Sequence, residues 1–227
     1  MPRHDRAEET RQRLIAAGMR LFARDGYEAV TTRQLAEAAA VNQAAIPYHF
    51  GGKEGVYLAV AEHIASAAGA RVQALAASVQ ARLPAADQTA VRALLLEATV
   101  AVAEAIFATG DRGVWALFLA REQFHPSPAF AQLYAAFVEP VHALIGALIA
   151  RLTGSAADAV DSVMLTHAYL GQILAFTSAH ATLERRLGQA AGDDTAATLA
   201  AIRRFSGMAI AGMGAGRDAT AGVGAQT

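Results

Sequence analysis

The sequence predicts an all-α chain of about nine helices, with a three-helix helix-turn-helix unit at the N-terminus and a larger helical domain after it. Three observations predict it. Hydrophobic residues make up 54% of the chain and charged ones 17%, below the roughly 25% charged of an average domain, and the excess is mostly alanine, the best helix former. Apolar residues recur at i, i+3 and i+4 spacing. Glycine and proline fall at intervals that punctuate this pattern.

The first helix is expected over about residues 7–24, with Leu14, Ala17, Leu21 and Phe22 on one face and Gly26 as its left-handed stop. In the next segment, TTRQLAEAAAVNQAAIPYHFGGKEGVY (31–57), Thr31 and Gln34 have the spacing of a capping box, and Leu35, Ala36 and Ala39 form an apolar stripe. Val41 is the buried turn residue. Asn42 can cap a second short helix whose Ile46 and Phe50 point inward, which leaves Gln43, Ala44, Tyr48 and His49 outward. Two short helices joined by a tight turn are an arrangement that lays one helix into DNA. A long helix then runs from Lys53 to about residue 81 and links the domains, followed by helices at about 87–108 (stopped by Gly110) and 113–124. A seventh helix runs from the Pro126–Pro128 break to Leu152, with Gly154 as stop, and Pro140 should bend it. The eighth spans about 156–187. The ninth spans about 194–213, opened by Asp193 or Asp194. Domains are thus expected at 1–52 and 53–213, with a disordered tail over 214–227.

The formal net charge of −1 gives no global attraction to nucleic acid, so any contact must be local. Arg3, Arg6, Arg11, Arg13, Arg20, Arg24, Arg33 and Lys53 cluster early, interleaved with Glu8, Glu9 and Glu37, a pattern equally readable as a solvated helix face. There is no cysteine, hence no disulfide or thiolate nucleophile, and the seven histidines show no HxxxH spacing; no metal and no cofactor is expected. No Ser/His/Asp arrangement, phosphate-cradling glycine loop or paired carboxylates mark a catalytic site. The start MPRHDRAEET lacks an apolar signal-peptide core. Residues 162–183 carry no formal charge and are long enough to cross a bilayer. They also hold His167, Gln172, Ser178 and His180, so we read a buried helix and no membrane partner, covered on one side by its own core and on the other by a second subunit.

RLIAAGMRLFARDGYEAVTTRQLAEAAAV followed by YHFGGKEGVYLAV resembles the TetR family of transcriptional regulators in order and spacing. REQFHPSPAFAQLY and NQAAI…YHFGGKEG are similar to its CecR-like subgroup. The absent cysteine and signal core fit a cytoplasmic protein, and the absent catalytic motifs speak against an enzyme. The resemblance implies an all-helical homodimer. Its first three helices would bind a double-stranded DNA operator, and its remaining helices would form a small-molecule effector pocket and a dimer interface. It places Gln43 and Ala44 at the exposed start of the recognition helix, Tyr48 and His49 at its end against the sugar-phosphate backbone, and Lys53 at a helix start that favours phosphate. Thr32 and Arg33 add phosphate bonds, although Thr32 can equally be a helix cap alone. Asn42 and Pro47 complete the DNA-binding set. Two positions depart from the family pattern: Ala40 stands where the turn usually carries glycine, so either a left-handed alanine is tolerated or the geometry differs, and Pro47 lies past the region where a missing N–H costs nothing.

For the effector, Phe107, Trp115, Phe118, Arg121, Glu122 and Phe124 are pocket candidates with His167, Gln172 and Phe176. Aromatics at such spacing also serve as plain core, and Arg121 and Glu122 can simply pair with each other or with solvent. Ala168, Gly171, Ala175 and Ala179 are small residues that would let two helices approach closely in a dimer. They can equally accommodate packing within one subunit. The resulting expectation is a repressor that binds a palindromic operator as a dimer and is released by an effector. The alternative is a small-molecule-binding helical protein or enzyme with only a vestigial helix-turn-helix.

Overall fold

The computed structural model describes residues 3–107, 113–188 and 194–213, all of whose regular structure is helical. The Gly110 stop, the Asp193 cap and the 214–227 tail lie outside the described residues. By its contacts the chain divides into two compact units, one of residues 1–69 and 109–137, the other of 70–108 and 138–227.

The first unit holds α1 (Arg3–Asp25), α2 (Thr32–Ala39), α3 (Ala45–Phe50), the start of α4 (Lys53–Arg82), α6 (Val114–Phe124) and α7 (Pro128–Leu133). Gly26 stops α1 with φ 83°, as the sequence predicts. α1 packs against α2, α3 and α6, and its Leu14, Ala17 and Phe22 are buried. Phe22, Tyr57 and Phe118 form an aromatic core, with ring centroids 4.9 Å apart for Phe22–Tyr57 and 5.0 Å for Tyr57–Phe118. Trp115 is buried beside them and donates its indole N–H to Met19 Sδ at 3.2 Å.

The second unit holds the end of α4, α5 (Gln88–Phe107), α8 (Glu139–Thr153), α9 (Val160–Ser178), α10 (His180–Leu187) and α11 (Thr195–Gly212). α5 packs between α8 and α11, and α9 touches α8, α10 and α11. Asp87 caps α5 through the Ala90 N–H at 2.8 Å, and Asp194 caps α11 through the Ala197 N–H at 3.0 Å. The expected 156–187 helix is interrupted: Ala179, with φ −111° and ψ 23°, separates α9 from α10. α9 buries Ser162, Thr166, Tyr169, Leu170 and Ile173, and exposes Val163, Met164 and Leu165. Among the described residues, the helical run long and apolar enough to cross a membrane is Pro128–Thr153, half of it buried.

The expected single helix over 128–152 is resolved differently. A π-helical stretch, Tyr134–Val138, separates α7 from α8, so Pro140 falls in the first turn of α8. The wide π-turn removes the clash that a proline ring makes with the carbonyl four residues earlier, here that of Ala136. Gly69 of α4 packs on that carbonyl so closely that a Cβ would stand 2.9 Å from its oxygen.

Gly55, in the first turn of α4, is the tightest such position: a Cβ there would lie 1.8 Å from the Phe50 carbonyl oxygen. Gly55→Ala must therefore move the α3–α4 junction and should cost about 1–3 kcal/mol, measured as a lowered urea midpoint; an unchanged midpoint contradicts the packing. His142 of α8 and His167 of α9 lie 5.8 Å apart between ring centroids. Burial, and secondarily the charge of His167, hold the His142 imidazole below its ordinary pKa. The unfolded chain then binds more protons on acidification, so stability should fall as the pH drops below about 6.5. His142→Gln should flatten that dependence in thermal melts.

Candidate nucleic-acid interface

Both ends of α2 are closed locally. Thr31 Oγ1 accepts from the Gln34 N–H at 3.2 Å while the Thr31 N–H donates to Gln34 Oε1 at 2.8 Å, completing the capping box. At the other end Ala40 adopts φ 50° and ψ 49°. Of the two alternatives for this turn, the left-handed alanine is the one adopted, at a cost of about 1 kcal/mol. The Ala40 N–H donates to Glu37 O at 3.1 Å and the Val41 N–H to Ala36 O at 3.0 Å. Arg13 of α1 donates to the Ala40 carbonyl at 2.8 Å, pinning the turn from outside.

α3 starts later than an Asn42 cap alone implies. Asn42 Oδ1 accepts from the Ala44 N–H at 2.8 Å, and the main-chain carbonyls of Asn42 and Gln43 accept from Ala45 and Ile46 at 2.9 and 3.1 Å. The helix proper begins at Ala45, so Pro47 is its third residue, inside the first turn. This corrects the expectation that Pro47 lies beyond the region where a missing N–H is free. The Gln43 carbonyl, which an N–H at 47 would have reached, is already bonded to Ile46. The helix is short, six residues, and ends at Gly51 with φ 74°.

Ile46 is fully buried beneath α3, and Phe50 is half-buried with the Arg11 guanidinium 5.2 Å from its ring centre. Asn42, Gln43, Ala44, Pro47 and Tyr48 are exposed, and His49 is half-exposed. Tyr48 is 82% exposed and meets the His49 ring edge-on at 4.8 Å. Gln43 is oriented rather than free, since its Nε2 donates to Thr32 Oγ1 at 2.9 Å across the turn. Arg33 pairs with Glu37 at 2.8 Å, both largely exposed, a pair worth little and easily exchanged. Lys53 donates to the Tyr27 carbonyl at 3.0 Å and sits 4.1 Å above the Tyr27 ring centre.

The effector candidates fall in different units. Trp115, Phe118, Arg121, Glu122 and Phe124 belong to the first, Phe107, His167, Gln172 and Phe176 to the second. Trp115 and Phe118 are buried core residues, and Phe124 is 68% exposed. Arg121 and Glu122 pair neither with each other nor with solvent alone. Arg121 donates to the carbonyls of Ala23, at 2.7 Å, and Arg24 at the end of α1. There the last carbonyls and the helix dipole favour a cation. Glu122 is 1% exposed and accepts from the Tyr57 hydroxyl, from the Ser127 N–H at 3.1 Å and from Ser127 Oγ. Burial first, and then the Glu122 carboxylate, push the Tyr57 phenol well above its ordinary range, so it stays a donor. Sequence reasoning missed these ties; the adjacency of a base, an acid and a Ser-Pro break in REQFHPSP was the available signal.

In the second unit Gln172 donates to the Tyr169 carbonyl at 2.8 Å and accepts from Ser206 Oγ at 3.1 Å, while Thr99 Oγ1 and Tyr169 OH meet at 2.8 Å. His167 is exposed; Phe107 and Phe176 are half-buried. Ala168, Gly171, Ala175 and Ala179 are all exposed, and a Cβ on Gly171 would meet nothing within 4 Å.

A capped helix, a pinned left-handed turn and a short second helix with an outward polar face define a helix-turn-helix protein. Residues 14–60 match the family model described as bacterial regulatory proteins, tetR family, and residues 91–213 match that of the HTH-type transcriptional dual regulator CecR, C-terminal domain. The chain is 34% identical over 191 residues to the HTH-type transcriptional dual regulator CecR of Shigella flexneri, covering 83% of this chain and 85% of that one. It is 40% identical over 62 residues to the HTH-type transcriptional repressor AcnR of Corynebacterium glutamicum, covering 27% and 33%. The fold is similar to that of the fatty acid degradation regulator FadR from Bacillus halodurans (TM-score 0.57, 14% identity, 89% and 95% of the two chains). It is likewise similar to the TetR family regulator PfmR from Thermus thermophilus (0.57, 18%, 88% and 98%). The chain belongs to the TetR family of transcriptional regulators, with a C-terminal domain of the CecR type. It is a DNA-binding transcriptional regulator.

Tyr57→Phe removes one of the donors to a buried carboxylate. It should cost about 1.5–3 kcal/mol, measured as a lower midpoint in urea with native helix content retained; no shift would show that the Ser127 donors suffice.

Proposed function

We propose that the chain works as a cytoplasmic homodimer that binds a palindromic double-stranded operator and represses transcription until a small-molecule effector releases it. The observation that carries this reading is the outward face of α3, where Tyr48 stands exposed above the buried Ile46 anchor. Gln43, held toward α2 by Thr32, and the small Ala44 beside it are the base-edge readers in the major groove. Tyr48 and His49 meet the backbone, Thr32, Arg33 and Lys53 supply phosphate contacts, and Asn42 and Pro47 set how far the helix reaches. Functionally the division is 1–52 for DNA and 53–213 for effector and partner, joined by the unbroken helix α4.

Dimerisation is supported by exposed apolar side chains in the second unit. Val160 and Met164 continue into Ala168, Gly171 and Ala175 along one face of α9, and Phe205 and Met208 are exposed on α11. An apolar face of this kind on a soluble protein marks an interaction surface, and a twofold axis makes it self-complementary. In the same unit Phe107, His167, Gln172 and Phe176 are the proposed effector contacts. Effector and operator then oppose each other reciprocally in binding free energy.

Selection of bound DNA from a random pool with the full-length protein should return a palindrome, and sedimentation should give a dimer at micromolar concentration; asymmetric or unselected DNA overturns the reading. On the selected operator, Lys53→Ala should weaken all sequences alike and reduce the magnitude of the log-affinity against log-salt slope by about 1. A sequence-selective loss with an unchanged slope contradicts the phosphate role.

A further inference from the structure

The first unit contains a cavity of about 650 Å³, open on one side, that the proposed effector contacts of the second unit do not use. Its volume is within the roughly 300–1,000 Å³ of small-molecule sites. It lies between the Gly26–Ala29 turn after α1, the first two turns of α4 and the α6–α7 break. Two aromatic rings, Tyr27 and Tyr57, stand in its wall 5.0 Å apart in edge contact, with Leu58 and Pro128 as apolar surface.

The charge of the wall is negative. Asp25 is already paired with Arg24 at 2.8 Å, and Glu122 is buried under three hydrogen bonds. Arg121 lies in the wall but is directed onto the carbonyls of Ala23 and Arg24, and His125 is exposed. Glu28 and Glu54, both exposed, have no ion-pair partner among the described residues. Both are close enough to Tyr27 that, after burial, they are what raises its phenol. The Tyr27 ring already carries a cation, the Lys53 ammonium 4.1 Å from its centre. Aromatic rings and carboxylates without an ion pair in the wall of a cavity of molecular size suit a positive charge borne on an apolar body.

We propose that this cavity is a second ligand site, for small organic cations of the alkyl- or arylammonium class, with Glu28 and Glu54 opposing the charge and Tyr27, Tyr57 and Leu58 holding the body. The site abuts residues 26–30, which lead directly into the Thr31 cap of α2. A ligand there grips the DNA-reading helices at their root.

The test is calorimetric titration of the DNA-free, full-length protein with benzyltrimethylammonium, with benzyl alcohol as the neutral comparator. The cation should bind saturably and about tenfold tighter than the alcohol. Glu54→Gln should weaken it about threefold or more, and Leu58→Trp, which puts an indole into the cavity, should weaken it with helix content retained. If Leu58→Trp does not fold, Glu54→Gln together with Glu28→Gln decides the matter, both positions being exposed. Absence of saturable binding at millimolar cation overturns the proposal. So does equal affinity for the alcohol, or binding that neither Glu54→Gln nor the Glu28 and Glu54 double variant weakens. None of these outcomes bears on operator selection, so the two readings stand or fall separately.

Discussion

A carboxylate removed from water must be hydrogen-bonded or it costs several kcal/mol, and the first unit is organised around one, Glu122. Its donors come from α4, through Tyr57, and from the chain just before α7, through Ser127. Satisfying one acid therefore fixes where α4 passes α6 and where α6 must end. The residue before it, Arg121, closes the last carbonyls of α1. Because α1 ends there, the Gly26–Val30 segment delivers Thr31 to its capping position, and α2 and α3 follow.

The helix-turn-helix itself is over-determined by short-range bonds. Its capping box, the Asn42 turn and the Gly51 stop each satisfy groups within a few residues, which leaves the outer face of α3 free of structural duty. On that face Tyr48 stands 82% exposed, whereas Gln43, just ahead of the helix, is tied to Thr32 across the turn. The two irregular residues are accommodated for different reasons. Ala40 holds a strained conformation because Arg13 and two helix carbonyls bond around it, whereas Pro47 carries no strain because the preceding turn had already used the carbonyl it cannot serve.

The second unit inverts the usual distribution along α9. Hydroxyls of Ser162, Thr166 and Tyr169 lie inside, and Val160, Met164 and small residues lie outside. The inner groups are affordable where they bond to main chain or to one another, as Thr166 does with the Ser162 carbonyl at 2.7 Å and Tyr169 with Thr99. An outer face of this composition is the surface that the proposed dimer would cover.

Elements whose signals lie within one or two helical turns were legible from the sequence: the Thr31–Gln34 box, the Gly26 and Gly154 stops, a cap at Asp193 or Asp194 and the start of α4 at Lys53. These depend on dihedral preference and on bonds to near neighbours, which residue types at fixed offsets encode. The interruption at Ala179 and the π-turn before Pro140 were not. A proline clash can be relieved by bending or by widening, and the contact of Gly69 with the Ala136 carbonyl depends on a segment far away in sequence. The same holds for the candidate site. Which residues face outward around α3 followed from periodicity, but the roles of Arg121 and Glu122 did not, because Arg121 reaches a carbonyl 98 residues away and Glu122 takes the Tyr57 hydroxyl 65 residues away besides the near Ser127. A charge pattern read along the chain cannot say which side chains meet. The sequence by itself determined the helical class, the caps closed by near neighbours and the family; only the tertiary structure decided where two helices break and which polar groups are buried together, since that depends on contacts between segments that local preference does not reach.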